Sequence, residues 1–323
     1  MGLLALPLSM LPFVAYFRLT GEGALLWSRA RVAIVKPHLP SLSAADRRWA
    51  RANAPSYSGG VAVLVYHGVG SQGDETAYSI TAEQLGSQLA YLRAAGMHVV
   101  TARQVADAFR QHQPLPSRAV MLTFDDGRAE AMLWADPLLA EAQAQATMFV
   151  ITQAAGSRGI FYASWKQLRQ YAASGRWDLE SHTTALHFLQ GVAGGRPLPA
   201  LASLKPGETI GAYTHRVQMD LADASTELEK EIGQRPVAFA YPFGDYGAER
   251  TNDGRIQGVL TAAVSRNYQL AFEQDDQLTV PLVTCTDDRL HLRRIDVGHW
   301  SGRDLLQRLR RAAAQTPQRP SCP

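Results

Sequence analysis

The sequence predicts an α/β fold organised as a parallel barrel of about seven strands. Two observations lead there. Apolar runs such as V-A-V-L-V-Y at 61–66 and V-M-L-T-F at 120–124 have the form of strands buried on both faces. Between such runs lie segments with leucines at helical spacing, opened by Thr or Ser and closed by Gly. About six or more such units in 323 residues make a closed or nearly closed barrel, in a single domain, the simplest arrangement.

In chain order, residues 2–17 carry no charge and are rich in Leu, which suits a membrane anchor or a signal core. Pro7 and Pro12 interrupt the stretch, and Arg18, Arg29, Arg31 and Lys36 follow it, the reverse of the charge order expected for export. Ala52-Asn53-Ala54 has the small-x-small form of a cleavage site, but Pro55 follows directly. An uncleaved anchor is therefore favoured over a removed signal, with membrane contact through residues 2–17 and an extracytoplasmic location. Residues 18–58 read as a linker. The expected division is thus 1–58 anchor and linker, 59–315 folded domain, and 316–323 tail.

Within the folded region, 61–66 is the first strand and ends at His67-Gly68. Thr81, with Gln84 three residues on, caps a helix that repeats Leu at 85, 89 and 92 and stops at Gly96. A short strand at 98–100 leads to a helix capped by Thr101. The strand at 120–124 is followed by a helix over 129–142 despite Pro137, then a strand at 146–151. Ser164 caps a helix to about 173, and 177–180 is a brief strand. Residues 188–215, with five glycines and three prolines, read as a long loop of the kind that often binds substrate. A helix over 220–232 and a strand over 237–241 follow, with further elements near 255–265, 270–272 and 294–297 and a closing amphipathic helix over 304–314.

The net charge is +3, and the basic residues are not interleaved with aromatics, so a nucleic-acid partner is excluded in favour of a neutral or weakly charged one. Cys285 and Cys322, the two cysteines, suggest neither a disulfide framework nor a thiolate metal site. Oligomeric state leaves no mark on the sequence.

The chemistry gathers at strand ends. T-F-D-D-G at 123–127 ends a buried strand in two adjacent carboxylates, Asp125 and Asp126, which can serve different partners, one a metal and the other a proton. Gly127 lets the backbone turn sharply. S-H-T-T-A-L-H at 181–187 places His182 and His187 five residues apart. On a helix that spacing leaves side chains roughly 140° apart, and on a strand it puts them on opposite faces, so only a turn brings both to one ion. Two imidazoles and a carboxylate would leave an open position on a zinc-like ion, as hydrolysis requires.

These motifs, with F-A-Y-P-F-G at 239–244, resemble the polysaccharide deacetylases of the NodB-homology group in order and separation over about residues 60–300. The resemblance implies a distorted (β/α) barrel, one divalent metal, usually Zn²⁺, and hydrolysis of N-acetyl groups on N-acetylated sugars. On it, Asp126, His182 and His187 are the metal ligands and Asp125 is the base acting on a metal-held water. Four residues lie between the histidines where most of the group has three. That spacing is similar to bacterial deacetylases acting on poly-β-1,6-N-acetylglucosamine, a biofilm polysaccharide, and the Y-H-G-V segment from Tyr66 and F-Y-x-S-W at 161–165 look like the same branch. A chitin or peptidoglycan deacetylase is the alternative, as is a catalytically weak carbohydrate-binding protein assisting export. The group also carries an arginine before the P-F-G segment, and Ala240 and Tyr241 stand there instead, so its role is absent or supplied from elsewhere.

Amide hydrolysis also needs an acid for the leaving amine and donors for the oxyanion. A backbone N–H near Phe243 is the expected oxyanion donor, and Tyr66, Trp165, Tyr241 and Phe243 are candidates to stack on sugar faces. For the acid, His67 is favoured over His291 and His299. It stands at the mouth of a strand whose rim carries Asp125 and His182, and starting a closed barrel one strand earlier moves a late motif to the front of the chain.

Overall fold

The computed structural model describes residues 21–70, 79–111, 113–157, 159–192, 195–274 and 280–316. The apolar stretch 2–17 and the tail from 317 lie outside them. Among the described residues, no helix is long and apolar enough to cross a membrane.

Two helices, α1 (Gly21–Ile34) and α2 (Ala44–Ala52), occupy the stretch read as a linker. Ser43 caps α2, Ala50 is fully buried, and Asp46 accepts hydrogen bonds from Tyr91 and Arg303. Sequence periodicity misses α2 because Trp49 is its one large apolar side chain. The chain continues through β1 (Gly60–Tyr66), β2 (Gly68–Gly70), β3 (Ser79–Thr81), α3 (Ala82–Ala94), β4 (His98–Val100), α4 (Ala102–Gln111), β5 (Ala119–Phe124) and α5 (Ala129–Ala142). Next come β6 (Ala146–Val150), α6 (Thr152–Ala155), α7 (Trp165–Ala173), β7 (Trp177–Ser181), β8 (Leu189–Gln190), β9 (Leu198–Pro199) and α8 (Ile210–Ile232). The last are β10 (Ala238–Ala240), α9 (Ile256–Asn267), β11 (Leu270–Phe272), β12 (Val283–Thr284), β13 (Ile295–Asp296) and α10 (Gly302–Gln315).

The main sheet runs β11-β10-β7-β6-β5-β1, each neighbour parallel to the next. Its two ends meet through residues 292–296. Leu292 makes a parallel bridge to Phe272 on β11, while Ile295 and Asp296 pair in parallel with Leu64 and Val65 on β1. Six strands and this segment form a distorted (β/α) barrel, as the sequence predicts. The distortion comes from short strands sharing an edge: β12 runs antiparallel to the start of β1, and β4 pairs the start of β5.

Side chains alternate across each strand, which sorts the core into layers. Val61 and Val63, Ala119 and Met121, Phe149, Ala238 and Ala240, and Phe272 and Leu292 fill the interior. Leu64, Leu122, Met148 and Leu179 face outward and pack with Leu85, Leu89, Leu138 and Leu306 of the surrounding helices. Phe239, Tyr241 and Ala271 meet α8 and α9.

Two expectations need correction. The helix read from Asp220 begins ten residues earlier, at Ile210 capped by Thr209, and buries Tyr213, Val217 and Leu221 at four-residue spacing. The preceding loop also contains the β8–β9 hairpin, and its Gly and Pro content hid both features from the periodicity reading. Cys285 is disulfide-bonded, which two cysteines without a recognisable spacing pattern did not disclose; Cys322 lies outside the described residues.

Glu180 shows how the barrel compensates for weak pairing. β7 and β10 share one register pair, Ser181 with Phe239. Glu180, fully buried on β7, accepts the backbone N–H groups of Val237 at 2.6 Å and Ala238 at 2.7 Å, so its side chain stands in for a ladder partner. Burial and the neighbouring Asp178 carboxyl push the Glu180 pKa well above the usual carboxylate range, although Arg103 lies 3.4 Å away. A carboxyl whose pKa is raised on folding contributes stability that is complete below its unfolded pKa, about 4.3, and is lost as pH rises through the folded value. Glu180→Gln removes that dependence but keeps an acceptor. Thermal melts from pH 4 upward should show the wild type losing stability relative to this variant; parallel melting curves would refute the assignment.

Candidate active site

A cavity of about 720 Å³ opens at the C-terminal rim of the barrel, lined by residues that follow β1, β5, β7, β10 and β11. Strand alternation explains why chemistry collects there. The inward-facing files 61-63, 119-121 and 178-180 continue, two residues at a time, to His67, Asp125 and His182. All three line the cavity.

Asp125 is 2% exposed and gripped at both oxygens by Arg294, whose Nη1 and Nη2 donate to Oδ1 and Oδ2 at 2.7 and 2.8 Å. Burial alone would raise the Asp125 pKa. The Arg294 guanidinium outweighs it and holds the carboxyl well below the usual range, so it is ionised at neutral pH. Arg294 is fully buried on the barrel-closing segment and also donates through Nε to the Glu273 carbonyl. It supplies the guanidinium that Ala240 and Tyr241 leave out. Sequence reasoning marked 294–297 as a strand but missed this residue; the available signal was an arginine in an otherwise apolar strand position.

Asp126, His182 and His187 converge: each offers a ligand atom, and these atoms lie within 4.8 Å of one another. Asp126 Oδ1 is 3.4 Å from His187 Nε2 and 3.7 Å from His182 Nε2. His182 Nδ1 donates to the Ala240 carbonyl at 2.7 Å, which leaves Nε2 as the lone-pair nitrogen turned toward Asp126. Burial pushes the His182 pKa down to about 4, the neutral state a metal requires. Asp126 Oδ1 is buried without a hydrogen-bond partner in the protein. An orphaned carboxylate oxygen facing two imidazole nitrogens fits a divalent cation of zinc type.

Backbone strain makes this convergence possible. Asp126 and Gly127 take left-handed φ values of 73° and 76°, which reverse the chain immediately after β5, and Thr183 at 75° does the same after His182. The turn that brings His187 back is held by Asp220 of α8. Its carboxylate accepts the N–H groups of Thr184 at 3.0 Å and Ala185 at 2.8 Å, and Thr184 Oγ1 donates to its carbonyl. The five-residue spacing therefore works through a side-chain-braced turn.

Of the remaining expected residues, Phe243 lines the cavity, is 36% exposed and stacks on His187 with ring centroids 4.7 Å apart. Its φ of 57° lies inside the P-F-G turn, and Gly244 beside it has no room for a Cβ, which would stand 2.5 Å from Gln274. Tyr241 does not line the cavity. It is fully buried, its hydroxyl donates to the Leu290 carbonyl, and the expected sugar stacking gives way to core packing. Trp165 likewise packs against the outer core outside the cavity lining, and Tyr66 is buried with its hydroxyl on Gln88. His67 Nε2 is 3.9 Å from Asp125 Oδ2. His291 packs on Tyr246 and His299 is exposed, and neither lines the cavity.

Asp220→Ala leaves two backbone donors without their acceptor and frees the His182–His187 turn. It should lower stability by about 2–4 kcal/mol and weaken metal binding while leaving both imidazoles in the chain. Calorimetric melting and metal titration check this, and wild-type values in both would show that the turn holds without Asp220.

Residues 112–260 match the polysaccharide deacetylase family model. Over 239 residues the chain is 28% identical to the poly-β-1,6-N-acetyl-D-glucosamine N-deacetylase of Escherichia coli O157:H7, covering 68% of this chain and 34% of that protein; the chain spans about a third of that relative's length. The enzyme of the same name from Staphylococcus epidermidis is 26% identical over 234 residues, covering 70% of this chain and 74% of that one. Among solved structures, a de-N-acetylase from Aggregatibacter actinomycetemcomitans superposes with a TM-score of 0.64 at 23% identity, covering 76% of this chain and 99% of the other, and so shares the fold. The stretch from the approach to the D-D-G strand into the helix after the P-F-G turn is therefore similar to a polysaccharide deacetylase domain.

Proposed function

We propose that this protein hydrolyses N-acetyl groups on an N-acetylglucosamine polysaccharide, preferring poly-β-1,6-N-acetyl-D-glucosamine. The observation that carries the reading is the meeting of an orphaned Asp126 oxygen, two imidazoles, an ionised Asp125 and His67 in one cavity. The substrate rests on the names of the E. coli and S. epidermidis relatives and on the four residues between His182 and His187.

Asp126, His182 and His187 would hold one divalent metal, Zn²⁺ by the donor set, which when bound supplies Lewis-acid polarisation of the acetyl carbonyl and acidifies the attacking water. Asp125 takes the water proton. Its low pKa makes it a weak base, and Arg294 fixes both of its oxygens in place for the transfer. The Phe243 backbone N–H donates to the developing oxyanion, and His67 protonates the departing sugar nitrogen. Deacetylation exposes amines, making the polymer cationic and adhesive to anionic surfaces.

Alanine at Asp126, His182 or His187 should lower metal content and activity together. Asp125→Asn and His67→Ala should keep the metal and lose turnover by roughly 10² or more. Full metal content in all three ligand variants, or a dead His299→Ala beside an active His67→Ala, would overturn these roles.

Acetate release measured by mass spectrometry should be faster from β-1,6-linked N-acetylglucosamine oligomers than from chitin oligomers or peptidoglycan glycan; equal or better rates on the latter would reject the linkage. Extracytoplasmic placement is part of the same proposal. The bonded Cys285, which fits an oxidising compartment, and the apolar stretch 2–17 support it, and resistance of the domain to protease added outside intact cells would contradict it.

A further inference from the structure

Each of the two adjacent carboxylates has its own guanidinium, but the grips differ. Arg294 occupies both oxygens of Asp125. Arg128 takes one oxygen of Asp126, its Nε donating to Oδ2 at 3.1 Å, and leaves Oδ1 to face His182 and His187. The contact spans two residues of chain, because the left-handed backbone at Asp126 and Gly127 folds Arg128 back over the carboxylate.

The guanidinium is held from other sides as well. It lies over the Phe161 ring, 5.1 Å from its centroid, and its Nη1 fills the space a side chain on residue 68 would need, 2.9 Å from where a Cβ on Gly68 would stand. The Arg128 backbone bridges Tyr162, and the Ala129 N–H donates to the Phe161 carbonyl at 2.9 Å, tying the 161–163 segment to the turn after β5. The side chain is 23% exposed and lines the cavity beside the three metal-ligand candidates.

A carboxylate can bind a divalent cation through one oxygen or both. Two-oxygen binding is tighter but fills a position that hydrolysis needs open. With Oδ2 engaged by Arg128, Asp126 has one oxygen to give. The guanidinium also places positive charge beside the cation site, which opposes metal binding.

Resting on the metal-site reading above, we propose that Arg128 is a positioning residue that restricts Asp126 to one-oxygen metal coordination, lowering metal affinity and keeping a coordination position open. Metal-stripped full-length wild type, Arg128→Ala and Phe161→Leu are titrated with zinc against a chelating dye, and their cobalt forms are compared by visible absorption. Arg128→Ala should bind zinc about threefold to tenfold more tightly, with weaker cobalt bands as coordination rises, and should turn over more slowly. Phe161→Leu, which removes only the ring beneath the guanidinium, should shift all three readouts in the same direction by less, and it carries the test if circular dichroism shows Arg128→Ala misfolded. Zinc affinity at or below the wild-type value with an unchanged cobalt spectrum overturns the proposal. A wild type that binds no zinc overturns the metal site itself, and this assignment with it.

Discussion

A buried ion pair across the barrel, Asp125 with Arg294, is the interaction on which the site depends. Both side chains are withdrawn from water, and each alone would be an uncompensated charge costing several kcal/mol. Together they are acceptable because the contact is bidentate, because Thr123 Oγ1 also lies 3.4 Å from Arg294 Nη1, and because the Phe149 ring lies 5.6 Å from the guanidinium carbon. The pair joins β5 to the segment that closes the ring, two parts of the chain 169 residues apart. Closure of the barrel and ionisation of the proposed base are thus one event: without the last segment in place, Asp125 would be a desolvated carboxyl with a raised pKa.

Around that pair the domain replaces missing regularity with specific polar braces. Glu180 stands in for ladder partners between β7 and β10, Asp220 holds the turn between the two histidines, and Arg128 fixes one oxygen of Asp126. Each brace sits beside strained or poorly paired backbone: of the left-handed residues, Asp126 and Phe243 line the cavity and Thr183 directly follows the cavity-lining His182. The barrel supplies rigidity, and the braces turn a parallel rim into a cluster of candidate metal ligands.

The residues that complete this site, His67 and Arg294, fall outside the 112–260 family match, one before it and one after. In a closed ring the two are neighbours all the same: His67 follows β1, Arg294 directly precedes β13, and β13 pairs with β1. A ring can be entered at any strand, so a histidine that arrives early in this chain reaches the same rim as one that arrives late.

The sequence by itself determined most of the barrel's strands and helices and singled out Asp126, His182 and His187 as candidate ligands. Buried strands announce themselves as apolar runs, helix starts through Thr81 and Ser164 with their reciprocal Gln partners, and D-D-G and the spaced histidines by composition at strand ends; each is a local signal. Tertiary structure decided which aromatics face the cavity. Phe243 and Tyr241 are two residues apart, yet one lies on the rim and the other in the core, a choice set by the turn between them. It also decided which arginine serves Asp125, because a guanidinium reaches its carboxylate by packing across the barrel and not by spacing along the chain. The same holds for Asp220, Glu180 and Arg103: their partners are distant in sequence, so nothing local distinguishes them from solvated charges until the ring has closed.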